Sequence, residues 1–480
     1  MEFKTLSLKE LIQEIKSGNT TQKEVYDYFL ERIKTLDPEI EAFNLVHDAF
    51  VDQDIHSPLA WVPIGVKDVF SETGVLTTAS SKMLEDYKPP YDATIISLLK
   101  QAGFSSIGKL NMDEFAMGGS GENSAMRITR NPWDVTRIPG GSSSGSAAAV
   151  ASGMIPAALG TDTGGSIRQP ASMCGIVGFK PTYGRNSRRG VIAMASSLDT
   201  PGTFTRTVED AAFLYEIMAG YDPLDSTSLR ESTQIDPAIW DKKDLKWVKI
   251  GIPKEYFIEG IEKGVRKEID AVIAKLRDLG AEIKEVSLPH TEYGLAVYYI
   301  TMPAEVSTNL ARYDGIRFGH THGGGADIAM SRSEGFGPEA QRRIMLGSFV
   351  LSSGFYDAYY RRAAVVRELI KDDFKKAFAE VDVLVTPVSP SVAWKIGDKS
   401  ADPLKMYLSD IFTVNGSLAG LPGISIPVGY ALPEDGWTTK LPVGLQIMGR
   451  ELWEQQIFEV AHVLEWAMKA YVNSQKPVIF

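Results

Sequence analysis

The sequence predicts a layered α/β fold with helices on both faces of a sheet. Three observations carry this: strand-like and helix-like segments alternate from about residue 247 onward, apolar positions in the helical segments recur at helical spacing, and 44% of the 480 residues are apolar, enough for a large core. The chain opens with two short helices. Ser7 followed by Glu10 is a capping-box pattern, Gly18 is a stop, and Thr21 followed by Glu24 restarts the helix. Leu8, Leu11, Ile12 and Ile15 give the first helix one face to bury. After Pro58 the texture changes, and residues 60–210 are dense in Gly, Ser, Thr and Ala, with VPIGVKDVF and AALGTDTGG reading as strands that run into turns. In the remainder, 247–480, WVKIGIP reads as a strand. Residues 264–279 read as a helix with Val265, Ile269, Val272, Ile273 and Leu276 on one side, and AEIKEVSL as a returning strand. A long helix follows around 355–380, then the apolar run VDVLVTPVSP, the pair LPGISIPVG and LPVGLQIMG, and a final amphipathic helix at roughly 453–470. No repeat, low-complexity tract or clear linker interrupts the chain, so this reading admits one large domain or two.

The formal charge is -11, and an acidic surface repels phosphate backbones, so direct nucleic-acid binding is not expected unless a local basic patch or a partner supplies it. Cys174 is the only cysteine, which excludes an internal disulfide and a thiolate metal cluster. The N-terminal stretch MEFKTLSLKELIQEIKSG is charged throughout, with no apolar core of a secretory signal. No uninterrupted apolar stretch approaches the ~20 residues of a membrane span. A soluble cytoplasmic protein without membrane contact is expected.

Two Ser/Gly stretches stand out. The first, Pro139-Gly140-Gly141-Ser142-Ser143-Ser144-Gly145-Ser146, runs into a segment of small residues able to pack close to its neighbours. The second is Gly160-Thr161-Asp162-Thr163-Gly164-Gly165-Ser166-Ile167-Arg168-Gln169-Pro170. Each presents hydroxyls and backbone N–H groups with little steric bulk, and successive N–H groups in a Gly-rich turn form a nest for negative charge. Acyl transfer needs such a nest for its oxyanion, and losing one donor costs ~10²–10³ in rate. A plain turn and helix cap is the commonplace alternative. A nucleotide-binding loop is disfavoured, because no Gly-Lys-Ser/Thr follows. Gly141-Ser142-Ser143-Ser144-Gly145 also fits the G-x-S-x-G nucleophile elbow, which requires a downstream acid and histidine. His290, His320, His322 and His462 are available for that role, and His320 with His322 could also be read as metal ligands or as solvated loop residues. The third feature is Lys67 at the end of Trp61-Val62-Pro63-Ile64-Gly65-Val66. A buried ammonium is expensive unless paired or neutral, so the alternatives are an ion pair with Asp68, a lysine reaching solvent, or a neutral amine.

Together the three stretches resemble the amidase signature family, whose members share a lysine on a V-K-D strand, a GGSS-type loop and a G-[ST]-D-x-G-G-S-[IV]-R-x-P segment. All three occur here in order, with Ser142 and Ser166 24 positions apart. Segments such as KLNMDEFAMG, NPWD, GFKPTYGR, MASSLD, PAEVSTNLARYDGIRFG and LAGLPGISIPVG are similar to one branch of that family, the A subunits of tRNA-dependent amidotransferases, over roughly residues 60 to 450. The resemblance implies a single α/β/α domain over 1–480, with N-terminal helices at 1–58 and a mixed, twisted central sheet covered by helices. It implies an amide-bond hydrolase with Ser166 as nucleophile, Ser142 as bridging serine and Lys67 as base. The N–H groups of Thr163, Gly164, Gly165 and Ser166 would form the oxyanion hole. Arg343 and Asp410 would hold the α-carboxylate and α-amine of glutamine, with Arg342 the neighbour to be told apart. No cofactor is implied; B and C partner subunits are, with ammonia released from glutamine for them. A free-standing hydrolase of small amides, esters or carbamates is the alternative. The chain departs from the branch at Ser144, where a glycine is usual, at Thr200, where a glutamine is usual, and around Gly119–Gly121.

The chemistry explains the residue types. A serine hydroxyl is a weak nucleophile until a base takes its proton. Lysine serves only when neutral, and moving its pKa from ~10.4 to ~7–8 asks for ~3–5 kcal/mol of differential destabilisation of the charged form. Desolvation can supply this for lysine and not for arginine, which stays protonated. The relay must also deliver a proton to the departing nitrogen, because an amine anion is a very poor leaving group.

Overall fold

Both N-terminal capping boxes form. In a computed structural model that describes residues 2–50, 57–324, 327–400 and 402–480, Ser7 caps the helix Leu8–Lys16 with Glu10 returning the bond, and Thr21 and Glu24 do the same for Gln22–Ile40. Leu8, Leu11, Ile12 and Ile15 are all buried. The first helix is tied down from afar: the Asp210 carboxylate accepts from the N–H groups of Leu8 and Lys9, at 2.9 and 3.0 Å, placing negative charge at a helix N-terminus. Arg32 on the second helix donates to the carbonyls of Ser152 and Gly153.

Eleven strands form one sheet among the described residues. In chain order they are β1 (Phe43–Val46), β2 (Pro63–Lys67), β3 (Ser105–Leu110), β4 (Ala157–Asp162), β5 (Val177–Lys180), β6 (Thr200–Thr205), β7 (Lys249–Pro253), β8 (Glu282–Val286), β9 (Val383–Pro387), β10 (Gly423–Ala431) and β11 (Leu441–Gly449). Their order across the sheet is β1-β3-β2-β4-β6-β5-β10-β11-β9-β7-β8. β2 runs parallel to β3 and β4, and β7 parallel to β8 and β9, while the hairpin β10–β11 and its neighbours pair antiparallel. The sheet is therefore mixed, in one α/β domain. β2, β4, β5, β6, β9 and β11 are buried at every position, as strands covered on both faces are. β8, at the edge, is mostly exposed.

The expected strands at 247–253 and 281–288 form, as do strands within the apolar run 381–390 and the pair 421–429 and 441–449, with trimmed ends. β7 starts at Lys249 because Trp247, almost fully exposed, turns to a φ of 74°. The long helix expected from 355 spans Tyr360–Ala377, after turns at 353–359, and the last helix is Glu454–Val472. Among the described residues no helix is long and apolar enough to cross a membrane.

The topology places the site. β2 and β4 lie side by side and parallel, with Val66 opposite Leu159, so both deliver their C-terminal ends to the same rim of the sheet. Lys67 closes β2 and Asp162 closes β4. The helix Ser144–Ala151 packs on β2, β4 and β6, and all eight of its residues are buried. A helix of Ser, Gly, Ala and Val can approach a sheet that closely; a leucine-rich one could not.

Candidate active site

Lys67 is fully buried. Its Nζ lies 2.9 Å from each of three hydroxyl oxygens, those of Ser142, Ser143 and Thr161. Burial pushes the amine down to about 7, against the pull of Asp113, Asp199 and Asp162. Desolvation thus outweighs three nearby acids, a differential on the order of 5 kcal/mol. The ion pair with Asp68 does not form. Asp68 instead accepts from Thr78 and Asn44 and lies 3.9 Å from the buried Lys109. An ammonium donates to all three hydroxyls, whereas a neutral amine donates to two and accepts from the third. Ser143 also donates to the Thr161 carbonyl, so Ser142 and Thr161 are left as donors to the lone pair.

The loop before the small-residue helix is held from two sides. The Ser142 carbonyl accepts from the N–H of Asp113, and the Gly141 N–H donates to Gln169. The Asp113 carboxylate in turn accepts from the N–H groups of Gly121 and Asn123. Burial pushes Asp113 up to about 6.

The second stretch turns sharply after β4. Asp162 accepts from the N–H groups of Ile167 and Arg168 and pairs with the Arg168 guanidinium through both oxygens, at 2.9 and 2.8 Å. Although burial opposes it, Arg168 holds this carboxyl below its usual range. Arg168 also donates to Gln446, Ser417 and the Thr413 carbonyl, so the turn is stapled to the β10–β11 side of the sheet. Two positions exclude side chains. Gly165 has a φ of 140°, and a Cβ there would stand 2.3 Å from Thr413 Oγ1; one at Gly164 would stand 2.6 Å from the Tyr298 ring. Thr163 donates to Asp199 at 2.7 Å. Among the described residues, no hydrogen bond leaves the N–H groups of Thr163, Gly164, Gly165 or Ser166. Ser166 is 7% exposed, and its hydroxyl is bonded to neither Ser142 nor Lys67. The structure joins Lys67 to Ser142, and among the described residues no hydrogen bond involves the Ser166 hydroxyl.

On the other side, Arg343 is buried and Arg342 half-exposed, a difference of one helical step on Pro338–Leu351. Arg343 Nε donates to Glu339 at 2.8 Å, and its guanidinium faces the rings of Tyr299 and Tyr407. Tyr299 donates to Asp410 at 3.0 Å. Burial pushes Asp410 up to about 7, with Tyr299 and Arg343 opposing. One step along the same helix as Tyr299, Tyr298 abuts Gly164. Arg343 and Asp410 are thus linked through aromatic rings to the turn that carries Ser166.

The histidines take other partners. His290 pairs with Asp373, His320 and His322 share Glu334, and His462 meets the Trp240 carbonyl. Ser143, the serine of the elbow reading, accepts from Lys67 and donates to the Thr161 carbonyl. Among the described residues no three His, Cys, Asp or Glu side chains are grouped to hold a metal. Ser144 and Thr200 are buried and bond to the nearby carbonyls of Asn111 and Leu198.

Sequence reasoning singled out neither Ser143 and Thr161 as partners of Lys67 nor the three acids around it. Thr161 had a signal: it lies next to Gly160 on β4, level with the end of β2 once those strands pair. Asp113 and Asp199 come from distant segments and carry none.

A profile of the amidase family matches residues 24–458. The chain belongs to the amidase family. Among its amidase relatives, it is 52% identical to the glutamyl-tRNA(Gln) amidotransferase A subunit of Carboxydothermus hydrogenoformans, over 97% of this chain and 98% of that one. It is 51% identical to the protein of the same name from Thermoanaerobacter pseudethanolicus, over 99% of each. The crystal structure of the glutamyl-tRNA(Gln) amidotransferase A subunit from Thermotoga maritima is similar at a TM-score of 0.83 and 41% identity, covering 97% of this chain and 95% of that one.

Proposed function

We propose that this chain is the glutamine-hydrolysing subunit of a tRNA-dependent amidotransferase. The observation that supports the chemistry most directly is a fully buried lysine with a pKa near 7 inside a ring of hydroxyls. The full-length likeness to amidotransferase A subunits supports the substrate.

In this reading Ser166 Oγ attacks the side-chain amide carbon of glutamine while its proton passes through Ser142 to Lys67. The carbonyl oxygen gains charge and is met by the N–H groups of Thr163, Gly164, Gly165 and Ser166, donors fixed in the fold before the charge develops in this reading. The C–N bond then breaks as Lys67, through Ser142, returns the proton to the departing nitrogen. Ammonia leaves, a glutamyl ester remains on Ser166, and water activated by the same relay releases glutamate. Arg343 offers the cation for the α-carboxylate and Asp410 the anion for the α-amine. No step calls on a cofactor.

The ammonia needs an acceptor site, and the chain's net charge of -11 makes it a poor host for tRNA. B and C partner subunits would supply that site, in the cytoplasm with the tRNA they serve. An exposed aromatic cluster supports a face for a partner. The rings of Phe349 and Phe355 lie 4.3 Å apart with Tyr359 beside them, all at least 40% exposed, and Met345 on the same helix as Phe349 is 67% exposed.

The test is Ser166→Ala in the chain assembled with its partners. Glutamine hydrolysis should fall by ~10⁴ or more with unchanged melting temperature, and labelled glutamine should leave no acyl adduct. Near-normal ammonia release from folded Ser166→Ala protein would sink the assignment.

A further inference from the structure

Two adjacent acids, Asp113 and Glu114, face the two halves of the site. The Asp113 N–H bonds the Ser142 carbonyl, and its carboxylate binds the 121–123 loop beneath the lysine–serine centre. Glu114 points the other way. It is 2% exposed, accepts from Ser81, and takes the Gly337 N–H on both oxygens, at 3.1 and 2.9 Å. Gly337 is the N-cap of Pro338–Leu351 and has no side chain of its own to cap it. That helix carries Glu339 and Arg343. A carboxylate at this end satisfies an orphan donor and complements the helix dipole.

The backbone around the pair is held in an uncommon conformation. Phe115 and Ala116 have φ values of 48° and 62°, in the left-handed region that non-glycine residues seldom occupy without surrounding support. Support is present: the Phe115 ring packs on Tyr313 and on Phe336, just ahead of the same helix. The Ser81 hydroxyl stands at the joint, also within 3.2 Å of the Gly335 carbonyl.

We infer that Glu114 is a positioning residue: it fixes the entry of the Arg343 helix to the segment that also holds Ser142, and so sets the distance between the carboxylate anchor and the reacting centre. This rests on the reading of Arg343 as that anchor. Burial pushes Glu114 up to about 7, against the opposing pull of the Ser81 and Gly337 hydrogen bonds. Its effect should be selective. A substrate with an α-carboxylate depends on the spacing, whereas a simple anilide that bypasses Arg343 does not.

The experiment compares kcat and KM on glutamine and on a simple anilide for the assembled wild-type enzyme, Glu114→Ala, Glu114→Gln and Arg343→Ala. In Glu114→Ala, KM for glutamine should rise on the order of tenfold relative to any change on the anilide, with kcat moving far less. Glu114→Gln, which keeps an acceptor for Gly337, should recover most of that loss. Arg343→Ala should discriminate against glutamine more strongly than either. Equal losses on both substrates in Glu114→Ala, or no recovery in Glu114→Gln, would overturn the positioning role while leaving the glutamine reading intact. If Arg343→Ala fails to discriminate, the anchor assignment and the inference fall together.

Discussion

Two lysines on strands of the same sheet share an environment by one measure and differ by another. Lys67 ends β2 and Lys180 ends β5, both are buried, and burial pushes both down to about 7. Around Lys67 stand three hydroxyls. Around Lys180 stand the carbonyls of Pro181 and Leu421. A carbonyl only accepts, so Lys180 can donate to its partners and receive nothing from them. A hydroxyl can also give up a proton, so Lys67 has something to take. Desolvation makes an amine available as a base; its partners decide whether it has anything to deprotonate. Lys109 is intermediate: it donates to the Phe70 carbonyl, its one hydroxyl partner, Thr77, gives its own proton to the Val75 carbonyl, and the amine faces the Asp68 carboxylate.

The largest test of that contrast is Lys67→Arg, which keeps a cation of similar reach and cannot be neutral. Hydrolysis should fall by at least ~10³. The same residue sets a pH signature. Lys67 has its pKa lowered, so below about 7 it is protonated and idle, and above about 7 it is free. The rate constant kcat/KM should therefore rise with pH through a limb near 7. Asp113 and Asp199, both pushed up to about 6 by burial, titrate close enough for the limb to report the cluster as a unit. A profile flat from pH 5.5 to 9 would contradict the base assignment. Next in size is Ser143→Ala, which leaves Lys67 two hydroxyls out of three; activity should drop on the order of tenfold, the worth of about one hydrogen bond. Smallest in activity is Lys180→Met. Orphaned carbonyls should destabilise the fold by roughly 1–3 kcal/mol in urea melts, with the pH limb in place and turnover within about tenfold of wild type. Disappearance of the limb in this variant would mean that the two lysines had been assigned the wrong way round.

What the sequence made legible follows from what is local. The capping residues Ser7, Glu10, Thr21 and Glu24 act over a few positions, and each caps where its spacing predicts. Arg342 and Arg343 could not be told apart, because a helix turns about 100° per residue and its phase is set by packing. The structure buries Arg343 and turns Arg342 outward. The acids around Lys67 were illegible for another reason. Asp113, Asp162 and Asp199 come from three separate segments, and only the pairing of β2 with β3 and β4, and of β4 with β6, brings them to one lysine. Short strands such as β1, β3 and β5 likewise owe their state to neighbours more than to their own composition.

The sealed turn at Gly164 and Gly165 has an evolutionary consequence. With an aromatic ring over one glycine and a threonine against the other, that wall offers no room for a new side chain, so a descendant seeking a different amide has to remodel the opposite wall. Novelty in such enzymes should accumulate in the segments bearing Arg343 and Asp410, while the serine-bearing loops stay as they are.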